Sequence, residues 1–285
     1  MEEKQFKPLI ANSTLLAIYA SMLRLRLFQD RVSQHLSRDE RLPKQSRQQE
    51  AYLAGLLHGL KPTDVLVSSK EDLGAALLRN RFESSAISTV LAQALSDDRT
   101  STRPVFATSK DCTIFRGAVA EMATFAAGVA FGLDSSRSSR KIVLAVLGAV
   151  KQQGNLDAAL RVAAHSSLPL VLVCTTRGTR LTLDRNALHG VPHMPVDGYD
   201  AVAVHRVAQE AYGRTRAGIG SVLIECRLLP NLKDPLASME DRLQGKKLFR
   251  QSEKEKLSHQ SSEILETAFA ALTASSLKYS KAGKR

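Results

Sequence analysis

Between Lys141 and Arg177 the chain switches from one unbroken apolar run to a helical stripe and back to a second apolar run. Ile142 to Leu147 is continuously apolar and ends at Gly148; Leu170 to Cys174 is the second run, restarted by Leu168-Pro169. Continuous runs of this kind suit parallel strands covered on both faces, whereas a strand with one wet face alternates. Between them Leu156, Ala159, Leu160, Ala163 and Ala164 share one helical stripe, which lets the helix pack back onto the sheet. The stretch is a βαβ unit. Ligands of open α/β sheets sit beyond the carboxyl ends of the strands, so a small-molecule site, if the chain has one, is to be looked for near Gly148 and near Thr175 to Arg177.

The same reading predicts an N-terminal helix over Thr14–Leu36, carried by Leu15, Leu16, Ile18, Tyr19, Met22, Leu23 and Leu25, with Ser13 or Thr14 as its cap. A polar loop is expected over Arg38–Arg47, then a helix over about Gln48–Leu60 that Lys61-Pro62 ends. Asp64–Val67 leads into Ser68–Gly74, with helices at Leu73–Arg79 and Ser85–Leu95. The pattern weakens over Ser96–Arg116, an irregular connection with room for a short strand. Ala118–Gly132 is a helix of small residues suited to close packing, in the core or against a partner. Gly178–Pro195 reads as a loop carrying His189 and His193. Asp200 is placed to cap a helix over Ala201–Arg216, and Ser221–Cys226 is a last buried strand. Asp234-Pro235-Leu236 opens a short helix, and an amphipathic helix over Ser252–Ala274 precedes a basic tail.

Composition narrows this picture without changing it. No Pro/Gly/Ser-rich linker divides the 285 residues, so one large α/β domain is expected. Trp is absent and aromatics are 5%, which leaves Leu, Val, Ile and Ala to build the core. Cys112, Cys174 and Cys226 have no metal-ligand spacing and read as small buried hydrophobes. The N-terminus lacks the apolar segment of a signal peptide and no apolar run is long enough to span a bilayer, so the expectation is a cytoplasmic protein without membrane contact. The net charge of +12 is scattered, with clusters at Arg137–Lys141, Lys246–Lys256 and Lys278–Arg285 and no interleaved aromatics. That pattern favours a solvated basic surface or an acidic partner over specific nucleic-acid binding.

The order of segments resembles the alpha subunit of the thiamine-diphosphate-dependent 2-oxo acid dehydrogenases, the pyruvate and branched-chain type. The resemblance runs from Leu15 to about Leu243. Gln49-Glu50-Ala51 through Gly55 is similar to that family's G-Q-E-A-x-x-x-G, and Gly117-Ala118 with Ala126 to Ala130 to its G-A-x-x-P-x-A-x-G-x-A. Gly154 to Pro169 is similar to G-x-x-x-E-A-L-N-x-A-A-x-x-x-L-P, and Val196 to Asp200 and Arg216 to Glu225 continue the series. The resemblance implies an α/β thiamine-diphosphate-binding fold: a mostly parallel sheet with helices on both faces. It also implies an alpha-subunit-like domain over residues 1–245, with residues 246–285 forming a C-terminal helix and basic tail on or beside it.

What the resemblance implies about chemistry is a set of replacements. The family's diphosphate motif begins G-D-G and ends N-N, its Asp and final Asn holding a Mg²⁺ that needs hard oxygen ligands. Aligned on Gly154 and Leu168-Pro169, those positions are Gly148 and Arg177, and no Asp or Glu lies between Lys141 and Gly154. The family's Y-R-x-H-G aligns with Lys70 to Gly74, placing Glu71 on the phosphate-binding Arg and Leu73 on the active-site His. The later loop with a second histidine is shortened away between Arg227 and Asp234.

The expected reading is therefore a non-catalytic or regulatory alpha-like subunit. Neither thiamine diphosphate nor metal is expected, and the partner is a beta-like subunit or a second copy. Two other readings stay open: an active subunit that holds thiamine diphosphate and Mg²⁺ after all, with Arg177 as an anion contact, and an anion- or nucleic-acid-binding module on the same scaffold. His165, His189 and His193 are weighed as acid/base candidates and none is assigned. Glu50 reads as a structural hydrogen-bonding residue near a helix start.

Overall fold

The computed structural model describes residues 10–36, 48–95, 105–109, 111–115, 117–135, 141–150, 154–177, 188–229 and 233–282. Among them are seven strands: β1 (Val65–Ser69), β2 (Val105–Ser109), β3 (Cys112–Phe115), β4 (Val143–Ala149), β5 (Leu170–Arg177), β6 (His193–Asp197) and β7 (Val222–Leu228). They form one sheet in the order β2-β3-β1-β4-β5-β7-β6. All neighbours are parallel except the β2–β3 pair, which is antiparallel. The helices are α1 (Asn12–Leu36), α2 (Glu50–His58), α3 (Leu73–Arg79), α4 (Ser84–Leu95), α5 (Val119–Ser135), α6 (Gly154–His165), α7 (Ala201–Arg216), α8 (Pro235–Gly245) and α9 (Gln251–Ala282). This is the expected α/β architecture, and among the described residues no helix is long and apolar enough to cross a membrane.

Continuous apolar strands are buried from both sides. On one face Leu66, Leu144, Val146, Val171, Val173 and Ile224 join a core with Leu25, Phe28, Tyr52, Leu53 and Tyr212 of α1, α2 and α7. On the other, Val67, Val143, Ala145, Leu170, Leu172 and Leu223 pack on α5 and α6. In α5, Ala123, Ala126, Ala127 and Ala130 are all buried within this chain, so core packing accounts for those small residues. From α9, Leu265, Ala268 and Phe269 enter the first core, and Arg31 pairs with Glu266 at 2.6 Å. Asp200 caps α7, its Oδ1 accepting from the Val202 and Ala203 amides at 2.9 and 3.1 Å.

Five sequence expectations need correction. Helix α1 starts at Asn12, because the Leu15 amide already bonds the Ala11 carbonyl; Ser13 and Thr14 lie inside its first turn. The weakly patterned stretch before Arg116 holds two strands, β2 and β3, too short to show a period. The stretch read as a loop ends in β6, an edge strand only partly buried and containing Pro195, a residue an edge tolerates. Strand β5 continues three residues past Cys174, pairing Thr175, Thr176 and Arg177 with Cys226, Arg227 and Leu228 of β7. Helix α9 runs on through Ala282, because nothing after Ala274 breaks it. The polar loop expected over Arg38–Arg47 and the last three residues of the tail lie outside the described residues.

Candidate functional site at the carboxyl ends of β1, β4 and β5

Three adjacent parallel strands end close together here, β1 at Ser69, β4 at Ala149 just after Gly148, and β5 at Arg177. Gly148 has a φ of +73°, a left-handed conformation that glycine adopts without strain. A methyl group placed on it would meet Asp72 Oδ2 at 3.1 Å and Ser69 Oγ at 3.4 Å. Asp72 comes from the 3-10 turn Lys70–Asp72 that follows β1, with Glu71 at the middle of that turn. Its carboxylate is 1% exposed and accepts hydrogen bonds from Tyr52 Oη at 2.5 Å, Gln49 Nε2 at 3.1 Å and Ser69 Oγ at 2.7 Å. Ser68 Oγ donates to the Asp72 carbonyl at 2.9 Å, closing the turn. Leu73, next in sequence, is a buried core residue opening α3.

Arg177 is exposed at the last position of β5. Two phenols feel its charge. Burial raises Tyr52 well above the usual phenol range, the Asp72 carboxylate adds to that, and Arg177 opposes it. Tyr199, just before α7, is raised by burial with Arg177 again opposing. Arg177 therefore stands at the rim of a cluster that holds two phenols and the Asp72 carboxylate.

Behind the rim, Glu50 is fully buried at the start of α2 and pairs with Arg26, which also reaches Asp234 at 2.7 and 3.0 Å. Burial raises the Glu50 carboxyl in spite of the Arg26 charge. Arg26 of α1 thus ties Glu50 of α2 to Asp234, the residue before α8.

The opposite sheet face carries a second polar cluster. Glu225 of β7 is fully buried and accepts from Thr176 Oγ1 at 2.9 Å and from Arg227 Nε and Nη2 at 3.2 and 3.1 Å. His193 Nε2 lies 3.1 Å from the same carboxylate. The other histidines take separate places: His189 meets Asp157 at 2.9 Å, and His165 is exposed at the end of α6. The His189 hydrogen bond holds the Asp157 carboxyl below its usual range. Among the described residues no group of three or more His, Cys, Asp or Glu could hold a metal ion.

A sequence model of the dehydrogenase E1 component matches residues 20–230, which contain every strand described above. The chain belongs to the dehydrogenase E1 component family. Its similar proteins include the alpha subunit of acetoin:2,6-dichlorophenolindophenol oxidoreductase from Bacillus subtilis, 35% identical over 28% of this chain and 27% of that subunit. The subunit of the same name from Cupriavidus necator is 24% identical over 76% of this chain and 70% of its own length. Chloroplastic pyruvate dehydrogenase E1 component subunit alpha-3 from Arabidopsis thaliana is 24% identical over 91% of this chain and 71% of its own. The first of these matches therefore spans only about a quarter of the relative.

Within the E1 fold, the four positions singled out in the sequence end up in unlike settings. Gly148 and Arg177 lie at neighbouring strand ends, Glu71 lies in the turn above them, and Leu73 is buried in the core. Asp72 and Tyr52 were not singled out. Their only sequence signal was a carboxylate beside Glu71 and a tyrosine three residues after Gln49, neither of which announces a contact with Gly148.

Three imidazoles give the E1 chain a pH dependence. Burial pushes His58, His193 and His205 below the usual range, and the His58 and His205 rings meet edge-on at 5.3 Å. A depressed folded pKa means that the unfolded chain binds the proton more readily, so stability is complete above the ordinary value and is lost as pH falls below about 6.5. Glu50, being raised, acts in the opposite sense above the ordinary carboxyl range, so the histidine slope is read near neutrality. Melting midpoints should fall from about pH 7.5 to about pH 6. His205→Gln should flatten that slope, and a slope unchanged by the substitution would assign it elsewhere.

Proposed function

We propose that this E1 chain is an alpha-like subunit that does not itself carry out thiamine-diphosphate chemistry and acts as a non-catalytic or regulatory partner of a beta-like chain or of a second copy. The supporting observation is the donor set at the strand ends. The positions that the resemblance assigns to the Mg²⁺ ligands are a glycine in left-handed conformation and an arginine, neither able to give a hard cation an anionic oxygen. The nearest carboxylate, Asp72, is committed to Tyr52, Gln49 and Ser69. The residues present do not fit a Mg²⁺–diphosphate group. Residues 1–245 form the alpha-like domain in this reading, with the helix within 246–285 as part of the same body.

The competing reading is an active subunit acting with a beta chain on a small oxo or hydroxy compound, as the names of the acetoin and pyruvate relatives suggest. Arg177 favours it, since an exposed guanidinium at a strand end suits an anionic ligand. Calorimetric titration with thiamine diphosphate and Mg²⁺ decides between the two. We expect no metal-dependent heat, and metal-dependent binding at micromolar strength would overturn the non-catalytic reading. Gly148→Asp with Arg177→Asn should not produce oxidative decarboxylation with a beta subunit, because Glu71 and Leu73 still stand where the family has its Arg and His.

A further inference from the structure

We infer that Asp72 fills, from the β1–α3 turn, the place that a metal-binding side chain at position 148 would occupy, so that the strand ends are organised by a residue of the chain rather than by a bound ion. The inference deepens the non-catalytic reading and rests on it.

The geometry is specific. A Cβ on Gly148 would lie 3.1 Å from Asp72 Oδ2, tighter than nine in ten real Cβ contacts, so any side chain there crowds the Asp72 carboxylate. The Asp72 carboxylate has little room to give way. Tyr52 holds it from α2, Ser69 from β1, and Gln49 from the residue before α2. These donors would otherwise be buried polar groups at the start of α2 and the end of β1; Tyr52 is 1% exposed and Ser69 5% exposed. Three hydrogen-bond donors from the chain itself stabilise the ionised carboxylate in this buried position.

Glycine at 148 and aspartate at 72 therefore form a matched pair. The glycine leaves the room, and the aspartate uses it. A second carboxylate brought there would face the first at short range in a buried setting, where like charges cannot both remain ionised without cost.

Four variants test the pairing: Gly148→Asp, Gly148→Asn, and each of these combined with Asp72→Asn. Asparagine has nearly the shape of aspartate and tolerates left-handed backbone, so the comparison isolates charge. With Asp72 present, the Gly148→Asp protein should melt roughly 10 °C below the Gly148→Asn protein. That gap should close as pH falls through the carboxylate range, and it should vanish or invert when Asp72→Asn is added, because the carboxylate at 148 then inherits the three donors. Equal melting of the two single variants, or a gap that persists without the Asp72 charge, would overturn the inference. Failure of Gly148→Asp alone to fold while Gly148→Asn folds counts in favour, being the same gap at its extreme. Metal-dependent binding of thiamine diphosphate to the wild-type chain would instead overturn the non-catalytic reading, whatever the melting comparison shows.

Discussion

Asp64→Ala should destabilise the chain by about 3–5 kcal/mol, which for a protein of this size lowers the melting midpoint by roughly 10 °C. Asp64 is fully buried in the turn before β1. Its Oδ2 accepts from the Lys61 amide at 2.7 Å and from Arg216 at the end of α7, and its Oδ1 accepts from the Ile142 amide at 3.1 Å. Alanine would leave the Ile142 amide and a largely buried guanidinium without their acceptor, and an unpaired buried group costs more than its bond contributed. The loss reaches the site because Val65 and Val143, one residue after these contacts, open the β1–β4 register, whose last pair, Ser68 and Val146, lies one and two residues before Ser69 and Gly148. Asp64→Asn keeps an acceptor and should recover part of the loss. Urea unfolding is the measurement, and a change below about 1 kcal/mol would refute the assignment.

Glu225→Ala should cost somewhat less, about 2–4 kcal/mol, since two of its partners reach water and can be resolvated. The Arg227 and His193 side chains are 28% and 18% exposed, whereas the carboxylate they share is fully buried. Thr176, buried in the sheet, loses the acceptor of its hydroxyl. The variant also carries a spectroscopic signature. Burial holds His193 below the usual imidazole range while Glu225 pulls it up, so removing the carboxylate should depress His193 further. Following its ring protons by NMR through a pH titration reads this directly; an upward shift would mean that burial is not the dominant cause.

Much of the architecture was legible because its signals are local. The apolar runs at Ile142–Leu147 and Leu170–Cys174, the helical stripe between them and the Asp200 cap are properties of neighbouring residues, and each is found in place. The strands that went unread are short or edge strands. Cys112–Phe115 is too brief to show a period, and His193–Asp197 buries only Val196 and contains a proline. The last turn of β5 was hidden because Thr175 and Thr176 look polar in sequence while both are buried in the sheet.

For the site, sequence alone determined which residue types stand near the ends of β4 and β5, Gly148 and Arg177. It also determined the fold class and the family resemblance, through the order of short motifs. Only the tertiary structure decided what fills the space left by the glycine. Asp72 is 76 positions away in the chain, and its nearness to Gly148 depends on the parallel β1–β4 pairing, on the 3-10 turn after β1 and on the left-handed backbone of Gly148. A carboxylate missing from one turn could be counted from the sequence; a carboxylate arriving from another element required the sheet to be closed first.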